Sequence, residues 1–154
     1  MKSVKEEMDM DDPFDLTRFV VAQAYNYREA LAEISAGRKV SHWMWYVFPQ
    51  IDGLGGSDMA RLYSIKSMDE ARAYLEHPLL GNRLLECAEA VLRVEGRSAR
   101  EIFGFPDDLK LRSCATLFAS VAPQVPVFKR ILDRYYQGVP DEQTLHILEH
   151  LSAP

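Results

Sequence analysis

Apolar residues recur at helical spacing along most of this chain, and this periodicity constrains the fold more than any other feature. In the clearest case, Leu80, Leu84, Ala88 and Val91 occupy one face of a helix that Gly96 ends. Comparable apolar faces occur in the segments 16–36, 106–121, 126–137 and 141–151. We therefore predict an all-α fold, a single compact bundle of about seven helices with a glycine-rich central loop.

Two pairs of residues have the spacing of capping boxes and indicate where helices begin. Ser67 is followed three residues later by Glu70, and Ser98 by Glu101. In such a box the serine hydroxyl and the glutamate carboxylate each accept a hydrogen bond from a backbone N–H of the first turn. We therefore expect helices to start at both serines, the second of them very short because Gly104 follows.

The chain divides into a short leader and one domain. Its 154 residues are close to the usual size of a single domain. The first residues are charged and show no periodicity, whereas Asp12 followed by Pro13 is typical of a helix start. We predict a disordered or frayed leader over residues 1–11 and a single helical domain over residues 12–154.

Composition argues against several classes of protein. The formal net charge of −5 argues against a nucleic-acid surface, which needs clustered Lys and Arg. Cys87 and Cys114 fall inside predicted helices and fit buried residues of a reducing compartment. The densest apolar stretch, 43–48, is too short to span a bilayer, and the N-terminus lacks the apolar core of a signal peptide. We predict a cytoplasmic protein that does not bind membranes.

Metal and cofactor sites have little support. His146 and His150 lie four residues apart, a spacing that can bind a metal, but no third ligand accompanies them. The glycine-rich run GLGGS is not a dinucleotide-binding fingerprint and follows no convincing strand. The sequence therefore predicts no metal and no cofactor.

The segment SHWMWYVFPQIDGLGGS, residues 41–57, is the first candidate site. Whether residues 41–48 are helical or extended, large side chains lie on both sides, so the segment should be buried between other elements. Its aromatic residues either plug the core or line a ligand site. The second interpretation depends on polar groups that need partners and on a turn whose backbone N–H groups can approach an anion, and it involves Ser41, His42, Trp43, Trp45, Gln50, Gly53, Gly55 and Ser57.

Polar residues on two predicted helices are further candidates. Arg112, Ser113 and Thr116 lie along one stripe, and an arginine with neighbouring hydroxyls can hold a phosphate or carboxylate. Alternatively this is a solvated face whose hydroxyls bond back to helix carbonyls. Gln23 lies on an otherwise apolar line of the first helix, where it either bonds the backbone or points at a ligand. Lys110, near a helix start, is typical of a capping or dipole partner.

These motifs resemble a bacterial family of small, mainly helical proteins of unknown function, some of which carry the label "calpastatin". The resemblance covers residues 14–151 and implies a helical fold but no established activity. Calpastatin is a disordered protease inhibitor, whereas this chain is periodic, so we set the label aside. The positions that match the family pattern, which through this resemblance include Lys110 as a ligand-binding candidate, are Gln23, Ser41, His42, Trp43, Trp45, Pro49, Gln50, Gly53, Gly55, Ser57, His77, Pro78, Gly81, Lys110, Arg112, Ser113 and Thr116. Where the family commonly has two serines, this chain has Ser113 and Cys114.

Two functions remain open from the sequence. The first is binding, with or without hydrolysis, of a small anionic ligand such as a nucleotide or phosphoribosyl compound. Trp43 or Trp45 would stack on a ring, and His42 would act as the catalytic acid/base or as a hydrogen-bond donor. Arg112 with Ser113 would hold the anion, which requires the tryptophan segment and the arginine stripe to meet around one hollow. The alternative is a non-catalytic helical protein-interaction module whose protein partner the sequence does not identify.

Overall fold

The computed structural model describes residues 11–152, and within this range the chain folds into nine helices. In chain order they are α1 (Thr17–Ser35), α2 (Met44–Val47), α3 (Asp58–Leu62), α4 (Met68–Glu76), α5 (Leu80–Arg93), α6 (Ala99–Phe103), α7 (Asp107–Val121), α8 (Val127–Tyr136) and α9 (Glu142–Ser152). The only pairing of β type in the described residues is an isolated parallel bridge between Ile51 and Ile65. The all-α prediction is confirmed, and the predicted count of about seven helices is too low.

Helix α3 begins inside the segment 49–59, whose glycines and aspartates predict turns. It is a single capped turn of five residues, in which the Ser57 hydroxyl accepts a hydrogen bond from the Ala60 N–H at 3.1 Å. A helix of five residues is too short to show the helical spacing of apolar residues. The periodicity that predicts the longer helices therefore does not predict this one. The predicted leader, residues 1–11, lies outside the described residues except for Asp11, and the division into leader and domain stays a prediction.

The helix starts follow the capping signals in part. Ser98 and Glu101 form the complete box, with both reciprocal hydrogen bonds present. Ser67 accepts from the Glu70 N–H, but the Glu70 carboxylate accepts from the Lys66 N–H and from Arg18 instead of closing the box. The capping box at Ser67 is therefore only half formed, because its carboxylate pairs with an arginine of α1.

Arg18 and Glu70 form a buried ion pair that joins α1 to α4. Their side chains are 12% and 3% exposed, and Arg18 Nη2 lies 2.7 Å from Glu70 Oε2. The remaining N–H groups of Arg18 donate to four backbone carbonyls, those of Phe14, Asp15, Leu62 and Ser64. All five donors of the guanidinium are thus satisfied, as a buried charge requires.

The core is one apolar cluster whose members run from Leu16 in the first described turn to Leu148 in α9. Helix α5 lies near its centre and packs against α1, α4 and α8. At its start, a Cβ on Gly81 would lie 1.9 Å from the Leu75 carbonyl oxygen, so the close approach of α4 and α5 requires glycine there. Cys87 and Cys114 are buried free thiols, and burial raises the pKa of Cys87 to about 12.

Candidate functional site

The tryptophan segment contains the short helix α2, which is hydrogen-bonded to side chains of α1. The Gln23 amide of α1 donates to the Tyr46 carbonyl at 2.7 Å, and Trp43 Nε1 donates to Glu33 Oε1 at 3.0 Å. Trp43 is fully buried and packs edge-on against Phe103. Its ring is therefore part of the core and is not available to stack on a ligand, which corrects one of the two alternatives predicted for the tryptophans.

Glu33 fixes the chain that leads into α2. Its carboxylate accepts hydrogen bonds from the Val40 and Ser41 N–H groups, from the Ser41 hydroxyl and from Trp43 Nε1. Burial raises the pKa of Glu33, but these hydrogen bonds outweigh burial and bring the pKa down to about 2. Ser41 is therefore held by an acidic residue, and a site for an anion does not form at its hydroxyl.

A hollow of about 410 Å³ lies between α2, the chain before it and the start of α7. We call it the tryptophan hollow, and its lining residues are Lys39, Val40, His42, Met44, Trp45, Phe103, Phe105, Pro106, Asp107 and Lys110. Three of the predicted site residues, His42, Trp45 and Lys110, meet here. His42 is exposed, and its imidazole makes no hydrogen bond to any residue in the range 11–152.

The floor of the tryptophan hollow carries two cations around one carboxylate. Lys39 Nζ lies 2.9 Å from Asp107 Oδ2, and Lys110 Nζ lies 3.2 Å from Asp107 Oδ1. The Lys39 side chain is only 6% exposed, and Lys110 Nζ sits 5.2 Å from the centre of the Trp45 ring. Three charged groups thus leave an excess of one positive charge beside an aromatic ring, in a protein whose overall charge is negative.

The glycine turn lies on the other side of Trp45. Gln50, Gly53 and Gly55 line a separate cleft of only about 20 Å³, which has room for about one water molecule. Ser57 caps α3 and does not line either space. The predicted role of these four residues in the same ligand site is therefore not supported by their placement, although Trp45 borders both spaces.

Arg112, Ser113 and Thr116 do not reach the tryptophan hollow. Arg112 follows Lys110 by two residues, which turns it about 200° around α7, and its Nε donates to the Val139 carbonyl at 2.9 Å. The hydroxyls of Ser113 and Thr116 donate to the carbonyls of Leu109 and Arg112, four residues back. The predicted shared hollow is wrong for this stripe. The hydroxyls bond back to the helix, as the alternative predicted, but the face is not solvated there, since Ser113 and Thr116 are only 6% and 1% exposed.

Gln23 also takes the less specific of its two predicted roles. It is 1% exposed, and its Nε2 donates to the Tyr46 carbonyl and, at 3.1 Å, to the Tyr74 hydroxyl. Its Oε1 accepts from Arg83 Nη1 at 3.3 Å. These three bonds connect α1 with α2, α4 and α5, so Gln23 lies beneath the tryptophan segment and has no contact with the tryptophan hollow.

Lys39, Phe105 and Asp107 line the tryptophan hollow but were not among the predicted site residues. Lys39 lies two residues before the aromatic motif, in a segment with no periodicity to orient it. Asp107 is the first residue of α7, a position at which a carboxylate is typical of a partner of the helix dipole. Only the tertiary contact between the chain before α2 and the start of α7 reveals that they face one space.

Comparison with known proteins places the chain in a family. The family described as "Protein of unknown function (DUF1810)" matches residues 13–148. The chain belongs to DUF1810. The crystal structure of a conserved hypothetical protein, Rv1873 from Mycobacterium tuberculosis, is similar to this chain: the sequences are 54% identical, the TM-score is 0.89, and the match covers 90% of this chain and 99% of that one.

Neither the family nor the crystal structure is described as having an activity. No curated protein matches the chain, and neither the family nor the crystal structure is described as a calpastatin. Among residues 11–152, no group of three or more His, Cys, Asp or Glu side chains could hold a metal ion, and no helix is long and apolar enough to cross a bilayer. The rings of His146 and His150 lie 4.2 Å apart on the exposed side of α9. Function must therefore be argued from the geometry of the hollows themselves.

Proposed function

We propose that the chain binds a small anionic ligand that carries a planar ring, such as a nucleotide or a phosphoribosyl compound, in the tryptophan hollow. The observation that supports this is the placement of Lys39 and Lys110 around one carboxylate beside the Trp45 ring. Asp107 neutralises only one of the two lysine charges, and an anion would neutralise the other. A planar ring would stack on the Trp45 side chain.

Each lining group has a role in this proposal. Lys110, the more exposed lysine, contacts the anionic group, whereas Lys39 holds Asp107 and donates to the Ser41 carbonyl at 2.5 Å. Trp45 and Phe105 offer rings for stacking, and Phe105 is 65% exposed at the rim. His42 provides a hydrogen-bond donor or acceptor without a partner of its own, the position from which an acid/base residue acts in a hydrolytic reaction.

Tryptophan fluorescence tests this proposal directly. The chain has two tryptophans, and only Trp45 borders the hollow, so quenching by AMP reports binding there. We expect saturable quenching by AMP and weaker binding of adenosine and of ribose 5-phosphate, which each lack one half of the ligand. Lys110→Gln should weaken AMP binding tenfold or more, because a hydrogen bond to a charged group contributes about 1.5–3 kcal/mol and about 1.4 kcal/mol is a factor of ten.

Lys129→Gln is the matched control. Lys129 is an exposed lysine that pairs with Asp133 on α8, away from the tryptophan hollow. AMP should bind this variant as it binds the wild type. If no ligand of the three gives saturable quenching, or if Lys110→Gln binds AMP as tightly as the control, the proposal is wrong.

The rim of the same hollow supports a second candidate function, a non-catalytic interaction module. Val40, Phe105 and Leu109 are apolar and exposed, and the first two line the hollow. Such side chains at the edge of a concave surface are typical of a protein-binding site. This candidate predicts that AMP leaves Trp45 fluorescence unchanged and that Phe105→Ser abolishes association with a partner or a second copy, detected by sedimentation velocity.

A further inference from the structure

A second hollow, of about 610 Å³, lies between α1 and α5. We call it the α1–α5 hollow, and the polar and aromatic residues that line it are Gln23, Tyr25, Tyr27, Arg28, Arg83 and Glu86. Apart from Gln23, none of these residues was a predicted site residue, and none lines the tryptophan hollow. Its two arginines are the feature that calls for an explanation.

Arg83 is held in place but retains most of its hydrogen-bonding capacity. Its guanidinium lies 4.5 Å from the centre of the Tyr27 ring, and Nη1 donates to the buried Gln23 amide oxygen at 3.3 Å. This is the one hydrogen bond that the Arg83 guanidinium makes within residues 11–152. The other four of its five N–H groups remain for a ligand. No carboxylate of the described residues lies within 4.0 Å of it.

Arg28, on α1, faces the same hollow without any partner. Its side chain makes no hydrogen bond, ion pair or ring contact with the described residues. The chain carries 23 acidic and 18 basic residues, so carboxylates outnumber cations. Glu86, which also lines the hollow, accepts a hydrogen bond from the Tyr27 hydroxyl and is not paired with either arginine. Two guanidinium groups that lack a carboxylate partner therefore line one concave space. Glu86 is the single carboxylate in the same lining.

We propose that the α1–α5 hollow binds a small ligand with a diphosphate group, with Arg28 and Arg83 each contacting one phosphoryl group. Guanidinium groups match phosphate oxygens through pairs of parallel hydrogen bonds, so two arginines suit two adjacent phosphoryl groups. The preorganised Arg83 loses little conformational freedom on binding. Tyr25, which is 90% exposed at the hollow, supplies a ring and a hydroxyl beside the phosphates.

A titration of the ¹⁵N-labelled chain with inorganic pyrophosphate, followed by two-dimensional NMR, tests this site. We expect saturable shifts of amide signals of α1 and α5 around residues 23–31 and 83–86, and of the Arg83 Nε–H. Orthophosphate should bind more weakly, because it has one phosphoryl group. Arg28→Gln and Arg83→Gln should each weaken pyrophosphate binding tenfold or more. Arg28 has no partner to lose, so its variant isolates the ligand contact from folding.

Two further variants sharpen the test. Arg93→Gln removes an exposed arginine elsewhere on α5 and should leave pyrophosphate binding unchanged. Glu86→Gln removes the one negative charge of the lining that would repel the ligand, so binding should tighten several-fold, which a purely structural role of the arginines does not predict. Lys110→Gln should bind pyrophosphate as the wild type does, which separates this site from the tryptophan hollow. The proposal is overturned if pyrophosphate causes no saturable shifts, or if Arg28→Gln and Arg83→Gln bind it as well as Arg93→Gln does.

Discussion

The buried pair of Arg18 and Glu70 offers the sharpest test of how this fold is held together. Arg18→Met replaces the guanidinium by an unbranched apolar side chain. The change leaves the Glu70 carboxylate, 3% exposed, without its cation. It also leaves four backbone carbonyls without the donors that Arg18 supplies.

The expected cost follows from these contacts. Removing one partner of a buried ion pair costs about 3–5 kcal/mol, since the remaining charge stays buried. The four carbonyls lie at the partly exposed edge of the pair, where water replaces some of the lost donors, so we expect about 4 kcal/mol in total. Glu70→Gln keeps the shape and leaves Arg18 its four carbonyl acceptors, so about 2 kcal/mol is expected.

Urea unfolding followed by circular dichroism at 222 nm measures both changes. The control is Arg72→Met, which breaks an exposed pair with Asp69 on α4, where Arg72 Nη1 lies 3.0 Å from Asp69 Oδ1. An exposed pair contributes at most about 1 kcal/mol. The unfolding free energy of Arg72→Met should therefore lie within about 1 kcal/mol of the wild-type value. If Arg18→Met costs no more than Arg72→Met, the assignment of the pair as a stabilising link between α1 and α4 is refuted.

Two other changes test single features of the structure. Gly81→Ala should lower the unfolding free energy by about 3 kcal/mol in a urea titration, because the new Cβ meets a backbone carbonyl and α4 and α5 must move apart. Gly56→Ala is the control and should be nearly neutral, because the space around Gly56 is open. Glu33→Gln should be destabilising at neutral pH. Because hydrogen bonds hold the pKa of Glu33 at about 2, below the ordinary 4.5, its carboxylate stabilises the fold above about pH 4.5, and this contribution is lost as the pH falls towards 2. The difference in unfolding free energy between wild type and Glu33→Gln should therefore shrink in acid, and a difference independent of pH would contradict the assignment.

The longer helices could be predicted from the sequence because their apolar faces pack into one core. Leu80, Leu84, Ala88 and Val91 are all buried on α5, as their spacing indicated. The capping box at Ser98 and Glu101 is confirmed for a different reason, since a capping box depends only on neighbouring residues. Glu70 had the same spacing, but a distant arginine competed for its carboxylate, and such competition is invisible without the tertiary structure.

The candidate site was harder to predict because helical phase and burial decide which polar groups share a space. Lys110 and Arg112 are two residues apart in α7, yet only Lys110 faces Trp45. Trp43 and Trp45 are equally close in sequence, but one is in the core and the other borders the hollow. The sequence predicted that Arg112 meets the tryptophan segment, whereas the cations that lie beside Trp45 are Lys39 and Lys110.

The position of Trp45 depends on a helix that cannot be stable by itself. Helix α2 has four residues and no side-chain cap at its N-terminal end, whereas an isolated helix needs about 12–15 residues to persist in water. It is fixed instead by two polar side chains of α1, since Gln23 binds the Tyr46 carbonyl and Glu33 binds the Trp43 indole. Gln23, which is buried, and Glu33, which is partly buried, thus act as positioning residues for the aromatic wall of the tryptophan hollow. In the proposed site, a ligand stacked on Trp45 would depend on both residues without touching either.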